Sequence, residues 1–128
     1  MLRTLLCLLC LSAPALADTA MTAAEFEAWS TGRTLDYVAD GAPWGSEMHL
    51  PNRATIDADE GGVCRSGHWY PQGDDICFVY EYDSGPFCWR FLKAGDRVIA
   101  EFLGEAFADQ ITVTLSDAPI PCSPEVGV

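Results

Sequence analysis

The chain has 128 residues, 49% of them hydrophobic, and carries 19 acidic against seven basic side chains, a formal net charge of −12 at pH 7. This length is typical of a single domain. The acidic excess argues against binding to nucleic acids and to anionic membrane surfaces, which require clustered lysines and arginines, but it permits a basic protein partner.

Residues 1–17 have the pattern of a cleaved export signal. Arg3 provides a short basic start, residues 5–11 form an apolar centre, and residues 15–17, Ala-Leu-Ala, form a small-x-small cleavage site. Seven consecutive apolar residues are far fewer than the roughly 20 that span a bilayer, so an uncleaved membrane anchor is not expected. We expect the mature chain to begin at Asp18 and to be secreted, either to the periplasm or outside the cell.

Cleavage would leave four cysteines, which are Cys64, Cys77, Cys88 and Cys122. An even number of cysteines in a short exported chain predicts two disulfide bonds. A zinc site is the alternative, but spacings of 13, 11 and 34 residues contain no C-x-x-C pair. We therefore expect disulfide bonds, and neither a metal nor any other cofactor.

A helix is predicted near the mature N-terminus, at about residues 23–31. Thr22 and Glu25 have the spacing of a capping box, which satisfies free backbone N–H groups at the start of a helix. Phe26 and Trp29 lie three residues apart and so share one face. We expect that face to pack on the rest of the domain.

From residue 33 the pattern changes to short segments rich in β-branched and aromatic residues, separated by turn residues. Eight strands are predicted, at residues 33–39, 45–50, 53–58, 63–70, 76–82, 87–93, 97–103 and 110–116. Even spacing and short links indicate an antiparallel meander, which closes into a small barrel or folds into a sandwich. We favour the barrel. Residues 117–128 form an irregular tail, so residues 18–128 make one β-rich domain stapled by disulfides.

The strands 76–82 and 87–93 carry six aromatic side chains on one face of their hairpin, because strand residues alternate between two sides. With a two-residue turn at Ser84-Gly85, these side chains form three facing pairs: Phe78 with Phe91, Tyr80 with Trp89, and Tyr82 with Phe87. That register separates Cys77 from Cys88 by roughly 13 Å, whereas a disulfide needs Cα atoms within about 7 Å. A longer loop centred near Asp83 brings the two cysteines opposite each other and keeps the aromatic face. The tight turn and a Cys77–Cys88 bond therefore exclude each other.

One ordered pattern of residues, G-x-W, then C-x-x-Y, then C-W, lies within residues 33–93. Its members are Gly67, Trp69, Cys77, Tyr80, Cys88 and Trp89. The pattern resembles small exported bacterial domains of unknown function that carry paired cysteines across a hairpin. The resemblance implies a β-meander in which Cys77 is bonded to Cys88, which leaves Cys64 to bond Cys122. It implies no activity and no catalytic residue.

The aromatic face of this hairpin has two interpretations. In the first, it lines a cavity in the barrel, where tyrosine hydroxyls orient an apolar or aromatic ligand. The candidate ligand-binding residues are then Phe78, Tyr80, Tyr82, Trp89 and Phe91. In the second, it is a filled core, because the interior of an eight-stranded barrel is only just wide enough for side chains. We expect the filled core.

Residues for catalysis or metal binding give no clear pattern. His49 and His68 combined with Asp57, Asp59 or Glu60 lack the spacing of a metal site. There is no G-x-S-x-G sequence, and among 19 acidic residues no pair stands out as a hydrolytic pair.

The leading hypothesis is an exported, non-enzymatic binding or interaction domain that engages a basic protein through its acidic surface. The alternative is a domain that binds a small ligand inside an aromatic-lined barrel, and the second alternative is a hydrolase.

Overall fold

The computed structural model of the protein describes residues 18–59, 63–81 and 83–122. The predicted export signal at 1–17, the candidate ligand residue Tyr82 and the last six residues of the predicted tail lie outside the described residues. Within the described residues the chain forms a closed β-barrel with one helix.

The elements follow the predicted order along the chain. They are β1 (Thr19–Ala20), α1 (Ala23–Ser30), β2 (Thr34–Ala39), β3 (Ala42–His49), β4 (Ala54–Asp59), β5 (Cys64–Gln72), β6 (Asp75–Tyr80), β7 (Phe87–Ala94), β8 (Arg97–Phe102) and β9 (Ile111–Ser116). A single 3₁₀ turn at Pro51–Arg53 joins β3 to β4. The eight predicted strands correspond to β2 to β9, and only the two-residue β1 was not predicted.

The barrel is closed by pairing between its first and last strands. Each strand from β2 to β9 pairs antiparallel with its neighbour in the chain, and β9 pairs back with β2 along six residues, from Thr34 opposite Ser116 to Ala39 opposite Ile111. Closure leaves no exposed sheet edge among these eight strands, which removes a site for edge-to-edge aggregation. Of the two predicted architectures, the barrel is confirmed and the sandwich is wrong.

Helix α1 lies across one end of the barrel. The predicted capping box is present, because the Thr22 side chain accepts from the Glu25 backbone and the Glu25 side chain accepts from the Thr22 backbone. Phe26 is fully buried, with its ring centroid 4.5 Å from that of Phe91 and 5.2 Å from that of Trp69. The helix therefore seals this end of the barrel with an aromatic side chain.

The hairpin of β6 and β7 has the register that a disulfide requires. Cys77 lies opposite Cys88 and is bonded to it, Phe78 lies opposite Phe87, and Ile76 lies opposite Trp89. The tight turn at Ser84-Gly85 and its three aromatic pairs are therefore wrong, because the bond shifts the hairpin centre toward Asp83, so that β6 ends at Tyr80 and β7 begins at Phe87. Both arrangements keep the aromatic side chains on the inner face, so their alternation alone did not distinguish the registers.

Both disulfide bonds are confirmed. Cys64 is bonded to Cys122, which ties the chain after β9 back to β5. Two disulfide bonds are typical of proteins that fold in an oxidising compartment outside the cytoplasm. No helix within the described part of the chain is long and apolar enough to cross a membrane.

We predict that Phe26→Ala lowers the free energy of unfolding by about 3–5 kcal/mol, because a buried ring is lost at the sealed end of the barrel. Urea unfolding followed by circular dichroism measures the change. The control is Tyr70→Ala, on the outer surface of β5 where the side chain is 37% exposed, with an expected loss of about 1 kcal/mol or less. Equal losses in the two variants would show that α1 does not stabilise the barrel.

Candidate ligand-binding cavity

The end of the barrel opposite α1 contains an open cavity of about 370 Å³. Its walls are aromatic, formed by Tyr37, Trp44, Phe78, Tyr80, Phe87, Trp89, Phe102 and Phe107, and its charged lining residues are Glu47, Asp57, Arg65 and Asp83. The cavity volume lies within the range of about 300–1,000 Å³ that is usual for small-molecule sites. The barrel is therefore filled near the helix and open at the other end.

Four rings surround the opening, and we call this group the mouth: Trp44, Trp89, Phe102 and Phe107. The Trp44 ring centroid lies 5.0 Å from that of Phe107 and 6.0 Å from that of Trp89. Trp44 is 41% exposed and Phe107 is 50% exposed. Two large apolar side chains therefore meet water beside each other at the entrance.

A β-bulge accounts for the position of Trp44. Tyr37 in β2 lies opposite Gly45 in β3, and Val38 lies opposite Pro43, so the register skips Trp44, which has no partner in β2. A bulge locally breaks the alternation of a strand and redirects the side chain of the extra residue. The Trp44 ring contacts the Tyr37 ring edge-on, with centroids 6.0 Å apart.

The polar part of the cavity, which we call the floor, consists of Glu47, Asp57, Arg65 and Tyr80. Glu47 is only 2% exposed. Its Oε2 accepts a hydrogen bond from the Tyr80 hydroxyl at 2.5 Å, and its Oε1 lies 2.8 Å from Nε2 of the buried His49. A buried carboxylate is tolerated only when hydrogen bonds replace its hydration, and these partners supply them.

Arg65 connects the floor to the hairpin loop. Its Nε and Nη2 donate to the two carboxylate oxygens of Asp57 at 3.1 and 2.7 Å, while Nη1 pairs with Asp83. The guanidinium group also lies over the Tyr80 ring, 4.8 Å from its centroid. A planar guanidinium that is bidentate to a carboxylate has a fixed orientation, so Arg65 holds β4, β5 and the loop after β6 in one arrangement.

The two tyrosines nearest Glu47 have perturbed acidity. Burial, and then the neighbouring Glu47 carboxylate, raise the pKa of Tyr37 and of Tyr80 well above the ordinary value. The hydrogen bond with Asp57 raises the pKa of Arg65. At neutral pH both tyrosine hydroxyls therefore keep their protons and act as hydrogen-bond donors toward Glu47.

The predicted ligand residues occupy two levels of the barrel. Phe78, Tyr80 and Trp89 line the cavity. Phe91 is 1% exposed and packs against Phe26 near the helix, away from the cavity. Tyr82 lies outside the described residues. The aromatic face predicted from the sequence is thus filled core at one end of the barrel and cavity wall at the other.

The charged floor was missed by the sequence analysis. Arg65 and Trp69 share the inner face of β5, so the parity of the strand could have indicated an arginine inside the barrel. Glu47 and His49 likewise lie two residues apart on the inner face of β3. The sequence signal for the floor was a set of polar residues at inward positions of the neighbouring strands β3, β4 and β5.

The histidines do not assemble a metal site. His49 is buried beneath the floor beside Glu47, whereas His68 is exposed on the outer surface of β5. Among the described residues, no group of three histidine, cysteine, aspartate or glutamate side chains is arranged to hold a metal ion. The side chain of Asp59 and all of Glu60 lie outside the described part of the chain.

Comparison of the chain with protein-family models, with curated proteins and with solved structures gives no match. The resemblance to small exported domains through G-x-W, C-x-x-Y and C-W stays a prediction.

Two residues of that sequence pattern, Gly67 and Tyr80, lie against each other at the floor of the cavity. A Cβ atom on Gly67 would lie 2.6 Å from Cδ1 of Tyr80 and 2.7 Å from the Val79 carbonyl oxygen. Gly67 is therefore required for Tyr80 to cross β5 and reach Glu47.

We predict that Tyr80→Phe lowers the free energy of unfolding by about 1.5–3 kcal/mol, because a buried carboxylate loses a hydrogen-bond donor. Urea unfolding at pH 7 measures the loss. Tyr70→Phe is the matched control, since it removes the hydroxyl of an exposed tyrosine, and should change stability by less than about 0.5 kcal/mol. Similar values for the two variants would contradict a stabilising role for the Tyr80–Glu47 hydrogen bond.

The raised pKa values of Tyr37 and Tyr80 also predict alkaline sensitivity. Both hydroxyls hold their protons more tightly in the folded chain than in the unfolded chain, where the pKa is about 10. Their contribution to stability is complete below pH 10 and is lost as the pH rises toward the folded-state pKa values. Each tyrosine should reduce the free energy of unfolding by about 1.4 kcal/mol per pH unit above pH 10.

Urea unfolding between pH 9 and 11.5 measures this slope, and absorbance at 295 nm reports tyrosine ionisation. The Tyr80→Phe variant should have a slope smaller by the contribution of one tyrosine, whereas Tyr70→Phe should retain the wild-type slope. Complete ionisation of all tyrosines before any loss of structure would contradict the burial of these two hydroxyls.

Proposed function

We propose that the protein is an exported, non-enzymatic domain that binds a small, largely apolar ligand in the open end of its barrel. The observation that carries the proposal is the cavity of about 370 Å³ with an aromatic wall and a compact polar floor. Small-molecule sites commonly combine an apolar lining with a few fixed polar groups, which orient the ligand. With its two disulfides, such a domain suits the periplasm or the outside of the cell after removal of residues 1–17.

The exposed rings of the mouth support this proposal. Trp44 and Phe107 lie against each other and retain 41% and 50% of their surface in water. Adjacent exposed apolar side chains are uncommon in soluble proteins unless they contact something. A ligand seated between the mouth and the floor would cover both rings, and so gain favourable free energy from the burial of apolar surface.

The fixed geometry of the floor is a second support. Glu47, Asp57 and Arg65 are each held by hydrogen bonds from within the protein, and these bonds connect β3, β4, β5 and β6. A ligand entering a preorganised site loses less free energy to the ordering of side chains. The same internal partners weaken the hydrolase alternative, because all three cavity carboxylates, those of Glu47, Asp57 and Asp83, are already engaged with other groups.

Association with a basic partner protein, the leading hypothesis from the sequence, stays a prediction. Five described basic residues form ion pairs with acidic residues: Arg33, Arg53, Arg65, Arg90 and Lys93. The remaining acidic excess is consistent with such a partner, but no described surface favours one.

We predict that the barrel binds 1-aminoanthracene, an uncharged dye at neutral pH that brightens in apolar sites, with one dye per chain. Trp44→Ala should weaken binding by about tenfold, since aromatic anchors in pockets dominate binding free energy. A fluorescence titration measures the dissociation constants. Tyr70→Ala, which removes an exposed aromatic side chain from the outer surface, is the matched control and should leave the constant unchanged.

Two results would contradict the proposal. In the first, the wild-type protein produces no saturable increase in dye fluorescence. In the second, Trp44→Ala and Tyr70→Ala weaken binding equally, which would place the dye on the outer surface rather than in the cavity.

A further inference from the structure

We infer that the cavity selects small organic cations, with a methylated or quaternary ammonium group as the preferred head group. This inference rests on the proposed ligand-binding function and names the chemical class of its ligand. Three properties of the cavity lead to it: the balance of charge in its lining, the arrangement of the mouth, and the internal pairing of the floor.

The charge of the cavity lining is negative. Three carboxylates, those of Glu47, Asp57 and Asp83, face one basic side chain, Arg65. Arg65 is bidentate to Asp57 and also pairs with Asp83, so its positive charge is already offset twice. The lining therefore repels anions and attracts cations, in the same sense as the net charge of −12 of the whole chain.

Glu47 is the carboxylate with no basic partner among the described residues other than the imidazole of His49. Its contacts include the Tyr80 hydroxyl at 2.5 Å and His49 Nε2 at 2.8 Å, and the Tyr37 hydroxyl also interacts with it. Nδ1 of His49 is buried without a hydrogen-bond partner. A protonated ring would leave a charged donor unsatisfied there, so the neutral tautomer that donates through Nε2 fits best. The negative charge of Glu47 then remains at the base of the cavity.

The mouth presents aromatic faces from several directions. The Trp44 and Trp89 rings are inclined by 49°, those of Trp89 and Phe107 by 81°, and those of Trp89 and Phe102 by 46°. Rings inclined in this way do not form a single parallel stack, so their faces are directed along several axes around the cavity that they line. Aromatic faces carry negative electrostatic potential, and boxes of such faces bind quaternary ammonium groups.

The internal pairing of the floor favours a head group without hydrogen-bond donors. Glu47 is engaged by Tyr80 and His49, and the Asp57 and Asp83 carboxylates are engaged by Arg65. A primary ammonium group that leaves water needs new acceptors for its three N–H groups. A quaternary ammonium group needs none, because its charge is balanced by the field of the carboxylates and by the aromatic faces.

We test this inference with benzyltrimethylammonium and with neopentylbenzene, which has the same shape but carries carbon in place of the charged nitrogen. Quenching of tryptophan fluorescence, to which Trp44 and Trp89 contribute, gives both dissociation constants. The cation should bind at least about tenfold more tightly than its neutral isostere, as expected for a cation in a desolvated aromatic site.

Variants then test the origin of this preference. Glu47→Gln should reduce the ratio of the two dissociation constants by about tenfold, because a charge close to the ligand is lost. Asp83→Asn removes a partly exposed carboxylate and should reduce the ratio less, which provides a second measurement if Glu47→Gln fails to fold. Asp74→Asn is the matched control, since Asp74 lies in the exposed turn between β5 and β6 at the other end of the barrel, and should leave the ratio unchanged.

The outcomes separate this inference from the proposed function. Equal affinity for the two isosteres, or a preference that both cavity variants leave unchanged, would overturn cation selectivity while the dye still demonstrates a binding cavity. Absence of cation binding together with tight dye binding would also overturn it. Failure of the dye and of both isosteres to bind would overturn the proposed function itself.

Discussion

The bond between Cys77 and Cys88 constrains the hairpin from which the cavity is built. It fixes the register of β6 against β7, so that at the open end of the barrel β6 ends at Tyr80 and β7 begins at Phe87. In the register with a tight turn, Asp83 would continue β6 and face outward with Cys77. As a loop residue it is released from strand alternation and pairs with Arg65 on the inside. The covalent bond thus contributes to the position of the Asp83 carboxylate at the cavity.

The two ends of the barrel are organised by different interactions. Near α1, Phe26, Trp69 and Phe91 are almost fully buried and form an apolar interior. At the other end, Glu47 is as deeply buried, but it is surrounded by polar partners. Hydrophobic packing contributes most of the stability of a small domain, whereas buried ionised groups contribute little net stability after desolvation. The helical end therefore stabilises the fold, while the open end holds groups that stability alone does not explain.

The sequence was sufficient for features that depend on neighbouring residues. The capping box of Thr22 and Glu25 determines where α1 begins, and turn residues mark the ends of most strands, so most of these elements were predicted closely. The exception is β3, which begins at Ala42, three residues before the predicted start at residue 45. Barrel closure was favoured because it removes strand edges. The pairing of Cys77 with Cys88 came from the resemblance, since the alternation of aromatic residues fits both registers of the hairpin.

The charged floor depends on contacts between distant residues, and for that reason it was not predicted. Glu47 meets Tyr80 across the barrel interior although 33 residues separate them in sequence. The identification of that contact requires the closed barrel, the inward parity of both strands, and Gly67 beneath the Tyr80 ring. The orientation of the Trp44 side chain is more difficult still to predict. A one-residue bulge breaks the strand alternation from which that orientation would be inferred. Long-range pairing and one local irregularity thus define most of the site.

The burial of Glu47 links stability to binding under the proposed cation selectivity. In the unoccupied cavity the carboxylate is stabilised by tyrosine hydroxyls and an imidazole, but the burial of an ionised group still carries a desolvation cost. A cation in the aromatic mouth would lower the free energy of that charge in the folded chain and have no comparable site in the unfolded chain. Binding to the folded state alone stabilises it by mass action. Glu47 would then lower the free energy of unfolding of the empty barrel and raise that of the ligand-bound barrel. This explains why the open end keeps a buried charge where an apolar residue would make the empty barrel more stable.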